Sequence, residues 1–234
     1  TPLRANASMC YQGVVPAGDG FKLDVAGIEQ FRANGAFDSK IIRPYALGKD
    51  LVQRAEQRFI IDLFGYQEAE ARSEQPYAFQ HLLNRVKPER DHNSRASYRD
   101  RWWLFAESRP AMREALTGLR RYIGTPYTAK FRPFVFIDGQ VIPDAMVYAI
   151  SSEDALTLGV LSSCLHEFWC KKFGGTLEDR PRYNSKATFF PFPFPHDDTG
   201  LTPALAERIR QLAEQLDAHR KARQAAHADV TLTG

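Results

Sequence analysis

The chain has 234 residues, 44% apolar and 25% charged, the make-up of an ordinary globular protein with enough apolar side chains for one main core. The three cysteines, Cys10, Cys164 and Cys170, are odd in number and spaced unlike any paired metal ligands, so reduced core thiols of a cytoplasmic protein are expected rather than a disulfide framework or metal site. No apolar run approaches the ~18 residues of a membrane span, and no signal-peptide pattern opens the chain, so no membrane partner is expected. Thr1 at the start and the uncapped stretch from Val230 to Gly234 are expected to be cuts from a longer protein.

In chain order, Met9 to Asp24 reads as two short strands about a Gly-rich turn. Ile41 to Tyr45 and Arg58 to Phe64 read as neighbouring strands, with a turn at Gly48-Lys49-Asp50 between them. Gln67 to Val86 reads as a helix ended by Pro88, Trp102 to Phe105 as a strand, and Arg109 to Leu119 as a helix opened by Pro110. A second strand cluster follows at Tyr122-Ile123, Phe134 to Ile137 and Val147 to Ile150, with Asp138-Gly139 as a turn. Ala155 to Phe173 reads as one apolar helix capped by Ser152 or Glu153 and closed by Gly174-Gly175. The Pro-Phe alternation from Phe190 to Pro195 cannot be helix and marks an extended boundary. Beyond it Thr202 caps a helix to about Ala226, with Leu205, Ile209, Leu212 and Leu216 in a leucine seam. The expectation is an α+β domain, residues 1–200, with a mixed or antiparallel sheet and packed helices. A long C-terminal helix, residues 201–234, follows as the truncated start of a helical spacer.

The net charge is only +3, but between His81 and Arg132 twelve Lys or Arg stand against five Asp or Glu. A basic surface with interleaved aromatics is what nucleic-acid binders use; a solvated face around a Trp core is the plainer alternative. A more pointed feature is Leu177-Glu178-Asp179-Arg180-Pro181-Arg182-Tyr183. In an extended run Glu178 and Arg180 share a face, about 6 to 7 Å apart. Arginine matches the two major-groove acceptors of guanine and a carboxylate accepts from the cytosine amine, so the pair suits one G·C base pair. A local surface ion pair is the default reading of the same residues.

The sequence contains no phosphate-binding Gly-Lys loop, no nucleophile elbow, no His-Glu-x-x-His and no Asp-Pro-Pro-Tyr type loop. No catalytic and no metal-ligating residue is therefore assigned. His166-Glu167 lies on an apolar helix, where a lone histidine is expected at or half beneath the surface, without chemistry.

Several segments, in order, resemble the target-recognition region of MmeI-like enzymes of type IIG or IIL, single-chain adenine-specific DNA methyltransferases many of which also cut DNA. They are Ile42-Arg43-Pro44-Tyr45 with Gly48-Lys49-Asp50, Arg101-Trp102-Trp103, Arg121-Tyr122-Ile123 with Thr128 to Arg132, Leu158 to Ser163, and Arg182-Tyr183 with Phe192-Pro193-Phe194-Pro195. The resemblance covers nearly the whole chain. It implies that the catalytic motif and the S-adenosylmethionine site lie upstream, so this chain holds no cofactor itself. It implies double-stranded DNA and the upstream methyltransferase domain as partners. It also implies that Glu178 and Arg180 stand where the family reads bases. Arg182, Lys130, Arg132 and Arg121 are expected as phosphate or supporting contacts. The rival reading is a protein-interaction module that pairs through the leucine seam.

Overall fold

The computed structural model describes residues 1–53, 56–177 and 180–227, the side chains of residues 176, 177 and 180 excepted. The strands are β1 (Cys10–Gln12), β2 (Lys22–Leu23), β3 (Ile42–Ala46), β4 (Phe59–Ile61), β5 (Arg121–Pro126), β6 (Val135–Asp138), β7 (Ile142–Pro143), β8 (Val147–Ile150), β9 (Thr176–Leu177) and β10 (Arg180–Pro181). The α-helices are α1 (Val25–Ala33), α2 (Glu68–Glu74), α3 (Pro76–Arg85), α4 (Lys87–Asp91), α5 (Ala96–Asp100), α6 (Pro110–Leu116), α7 (Ala155–Leu161), α8 (Cys164–Phe173) and α9 (Pro203–Ala226). The fold is α+β, as expected. Among the described residues no helix is long and apolar enough to cross a membrane.

The chain divides into two units, one drawn from Thr1–Gly13, Ala46–Ala55 and Pro110–Gly234, the other from Val14–Tyr45 and Glu56–Arg109. In the second unit β4 pairs antiparallel with both β2 and β3, Ile61 opposite Ile42 and Ile60 opposite Lys22. The expected neighbours are therefore paired. The helix read over Gln67 to Val86 is two, because Pro76 lacks an N–H and clashes with a continuing turn, so α3 restarts there. Trp102 to Phe105 is irregular rather than a strand. Adjacent strand residues face opposite ways, yet Trp102 and Trp103 are both buried, their rings 6.1 Å apart, and Trp103 Nε1 donates to Tyr66 O at 3.0 Å.

The basic run of 81–132 is not one solvated face. Arg90 is buried and donates to the carbonyls of Pro16 (2.6 Å) and Leu104 (3.3 Å). Lys87 is tied to Asp91 at 2.7 Å, and Arg109 to Glu107 at 2.6 Å.

In the first unit β1, β8, β5 and β6 form an antiparallel sheet in that order. Ile123, Phe134, Phe136, Tyr148 and Ile150 pack with Leu158 and Leu161 of α7 into one core. Asp154, not Ser152 or Glu153, caps α7, accepting from Leu156 N at 2.9 Å. The helix read over Ala155 to Phe173 is broken at Ser162-Ser163. There the Ser163 hydroxyl donates to Val160 O at 2.7 Å and accepts from His166 N at 3.3 Å, ending α7 and starting α8.

Helix α9, expected as the start of a spacer, packs on α7 within this unit. Gly159 lets Ile209 approach so closely that a Cβ would stand 2.5 Å from Ile209 Cγ2. Buried Asp217 accepts from Phe136 N at 3.0 Å, and Arg220 donates to Phe134 O at 3.0 Å, which covers the free edge of β6. The packed face is thus Ala206, Ile209, Ala213 and Asp217, whereas Leu205 and Leu212 of the seam stay exposed.

Candidate nucleic-acid interface

The residues around the sequence's pointed feature are built from α8 outward. The C-cap Gly174 sits where a Cβ would lie 2.5 Å from Cys170 O and 2.7 Å from Arg182 O, and Gly175 takes φ +71°, so both glycines are required to turn the chain out of the helix. The chain then forms a short antiparallel hairpin, with Arg180 opposite Leu177 and Pro181 opposite Thr176. The extended run expected from sequence centres on Glu178 and Asp179, which lie outside the described residues, and Arg180 is described in its backbone alone.

The base of this hairpin is pinned to the segment that continues β5. Thr128 and Arg182 form an antiparallel bridge, Tyr183 N donates to Tyr127 O at 2.8 Å, and Ala129 N donates to Pro181 O at 3.4 Å. Arg132 clasps both sides, donating to Pro181 O at 2.7 Å and to Pro126 O. Arg182 donates to Tyr127 OH, its guanidinium 4.9 Å from that ring's centroid, and the ring stacks on Tyr148. Tyr183 turns the other way. It is fully buried against Phe134 and Tyr148, with its OH 3.3 Å from His166 Nε2.

His166 is wholly buried, deeper than the surface or half-buried site expected, because α8 turns it against Phe192 at 4.4 Å between centroids. Burial, with the nearby Arg132 charge, lowers its pKa to about 4. Burial pushes the Cys170 thiol up to about 12 and Tyr183 well above its usual value. All three are neutral at pH 7, so none offsets the charge of Arg132. The Phe-Pro alternation is held from below by buried Asn6, whose Nδ2 is shared among the carbonyls of Phe192 (2.7 Å), Phe190 (3.1 Å) and Phe189 (3.2 Å).

Of the expected contacts, Arg182, Arg132 and Lys130 are brought together at this end of β5. Lys130 is exposed, with Nζ 5.7 Å from the Phe131 ring centroid, and Phe131 is itself 54% exposed. Arg121 stands at the other end of the strand, bonded by both terminal nitrogens to Glu214 and lying 3.6 Å over the Phe136 ring. Beside Lys130 opens a cleft of about 670 Å³, lined by Lys49, Gln53, Thr128, Asp144 and Met146. Lys49 was legible only as part of a Gly-Lys-Asp turn, and Tyr127 and Asn6 carried no signal of their own.

The hairpin is tied to an α+β scaffold with Arg182, Arg132 and Lys130 gathered at its foot, and clustered cations of this kind are the electrostatic footprint of nucleic-acid recognition modules. The chain belongs to the MmeI target recognition domain family, whose model matches residues 1–196. Among solved structures it is similar to the type IIL restriction-modification enzyme MmeI in complex with DNA, at TM-score 0.75 and 24% identity, covering 97% of this chain and 29% of that one. It is also similar to the type IIG restriction endonuclease BpuSI, at TM-score 0.52 and 11% identity, covering 92% of this chain and 26% of that one. At these identities the likeness carries the fold, and the chain spans under a third of either structure. No curated protein matches it by sequence.

Proposed function

We propose that this chain reads DNA sequence in the major groove for a larger adenine-N6 DNA methyltransferase, fixing which adenine is modified. The observation that supports it best is the hairpin foot. A loop that reads bases must be held to a fraction of an ångström by its scaffold, and here two backbone hydrogen bonds (Tyr183 N to Tyr127 O, Ala129 N to Pro181 O) and two from guanidinium groups (Arg132 to Pro181 O, Arg182 to Tyr127 OH) tie Pro181, Arg182 and Tyr183 to residues 127–132. Glu178 and Arg180 are the base readers in this reading, while Arg182 and Lys130 serve backbone contacts and Arg132 acts by holding the hairpin. Catalysis and S-adenosylmethionine belong to the methyltransferase domain preceding this chain, which acts inside the cell.

Arg180→Ala should cost about 1 to 3 kcal/mol in binding at one base pair and relax preference there, leaving other positions as they were. Competition binding of the intact protein against duplexes substituted one pair at a time reads this out. An unchanged preference profile contradicts the assignment of Arg180. The absence of any methylated adenine motif in cells expressing the folded protein contradicts the methyltransferase reading.

A further inference from the structure

The 670 Å³ cleft beside the hairpin foot has two walls distant in sequence. One wall is the turn at Gly48–Leu51, closed by the Asp50 carboxylate accepting from Leu47 N at 2.8 Å. Gly48 lies so close to Met146 that a Cβ would stand 2.7 Å from its carbonyl oxygen, and Gln53 O is held by Gln224 Nε2 at 3.2 Å. The other wall is Thr128 to Lys130, the same segment that bridges to Arg182. Both walls are thus fixed before any ligand arrives.

Each wall brings one exposed lysine, Lys49 and Lys130. The lining also includes Met146, 44% exposed, and Asp144, whose Oδ1 accepts from Met146 N at 2.8 Å. The Asp144 carboxylate repels an anion and the two ammonium groups attract one, so within this lining a phosphate is favoured beside the lysines. The Met146 side chain offers an apolar surface that suits a sugar. The volume lies within the about 300 to 1,000 Å³ of ligand clefts and exceeds what one free phosphate fills. An alternation of anionic and weakly apolar groups is the chemistry of a nucleic-acid backbone.

We infer that this cleft seats the sugar-phosphate backbone of one strand of duplex DNA, with Lys49 and Lys130, from the two lining segments, as phosphate contacts. The inference rests on the recognition reading above and adds Lys49, Thr128 and Met146 to it. Because Thr128 is bridged to Arg182, a strand held here is placed in fixed register beside the hairpin, and phosphate contacts of this kind position a protein without reading sequence.

The test is the salt dependence of duplex binding by the intact protein, on a duplex carrying its methylated motif and on an unrelated one. Each phosphate contact contributes about 0.9 to the slope of log K against log salt, so Lys49→Gln should lower the slope by about 0.9 and the Lys49→Gln/Lys130→Gln pair by about 1.8. Affinity should fall by the same factor on both duplexes, the methylated motif should not change, and the paired Lys→Arg variants should keep the wild-type slope. A wild-type slope in the double Gln variant overturns the inference while leaving the recognition reading intact. So does a loss confined to the motif duplex, which would make these lysines base readers. Wild-type protein that binds neither duplex in a salt-dependent way overturns both.

Discussion

The two ends of β5 carry the same residue type in opposite electrostatic settings. At the Arg121 end the guanidinium meets the carboxylate of Glu214, and that partner holds the arginine's pKa up and the glutamate's down. The charge is cancelled, and the pair acts as a fastener between the sheet and α9. At the other end Arg132 donates to carbonyl oxygens and sits 5.3 Å from the centroid of the neutral Tyr183 ring. Its two terminal nitrogens are hydrogen-bonded, its buried Nε has no partner among the described residues, and no carboxylate meets its charge, beside Arg182, which is bonded to a phenol, and exposed Lys130. Neutral acceptors let a protein bury an arginine for structure and keep a positive field at the surface above it. Cations stand at both ends; the identity of their partners separates a fastener from a foot whose positive charge no carboxylate cancels.

The largest effect that could break this comparison is expected at Arg132. Arg132→Ala leaves the carbonyls of Pro126 and Pro181 without that donor, and should destabilise the protein by about 3 to 4 kcal/mol in urea titration. A value near zero would mean the hairpin foot does not depend on the clasp. Next comes His166. An unfolded histidine titrates near 6.5 whereas here it titrates at about 4, so between those values the unfolded chain binds more protons. Stability should therefore fall as pH drops from 6.5 to 4, by on the order of 3 kcal/mol in all. His166→Phe should lack that slope, and a parallel pH profile in wild type and variant would contradict it. Gly159→Ala brings a Cβ against Ile209 and should cost about 1 to 2 kcal/mol, separating α9 from α7 without altering sequence preference. The smallest effect sharpens the comparison from the other side. Arg121 and Glu214 are both partly exposed, so Arg121→Gln should change stability by under about 1 kcal/mol and leave DNA affinity unchanged. A steep loss of DNA binding in that variant would place a phosphate contact at the fastener end.

Much of the sheet was legible because its signals are local. Apolar runs at Tyr122-Ile123, Phe134 to Ile137 and Val147 to Ile150 and the Asp138-Gly139 turn mark β5, β6 and β8, and Thr202-Pro203 marks the start of α9. The errors came where a tertiary partner overrides a local pattern. The paired tryptophans resemble a strand, but both rings are needed on the same core. A run of helix formers hid the Ser163 cap, which is decided by a hydroxyl meeting Val160 O and His166 N. For the site, the Gly-Gly exit from α8 and the position of Arg182 were readable, while Arg132 as a clasp was not. Its role depends on Pro126 and Pro181 converging, and nothing in either segment announces the other. The leucine seam shows the same limit, since α9 buries Ala206 and Ala213 and leaves Leu205 and Leu212 outside.

The central claim, that the hairpin held by this foot carries DNA specificity, is tested most directly by mapping methylated adenines in cells that express the intact protein with Glu178→Lys and Arg180→Asp together. The account predicts a motif altered at one base pair and unchanged elsewhere. The same motif, methylated to the same extent as by wild type, would contradict it.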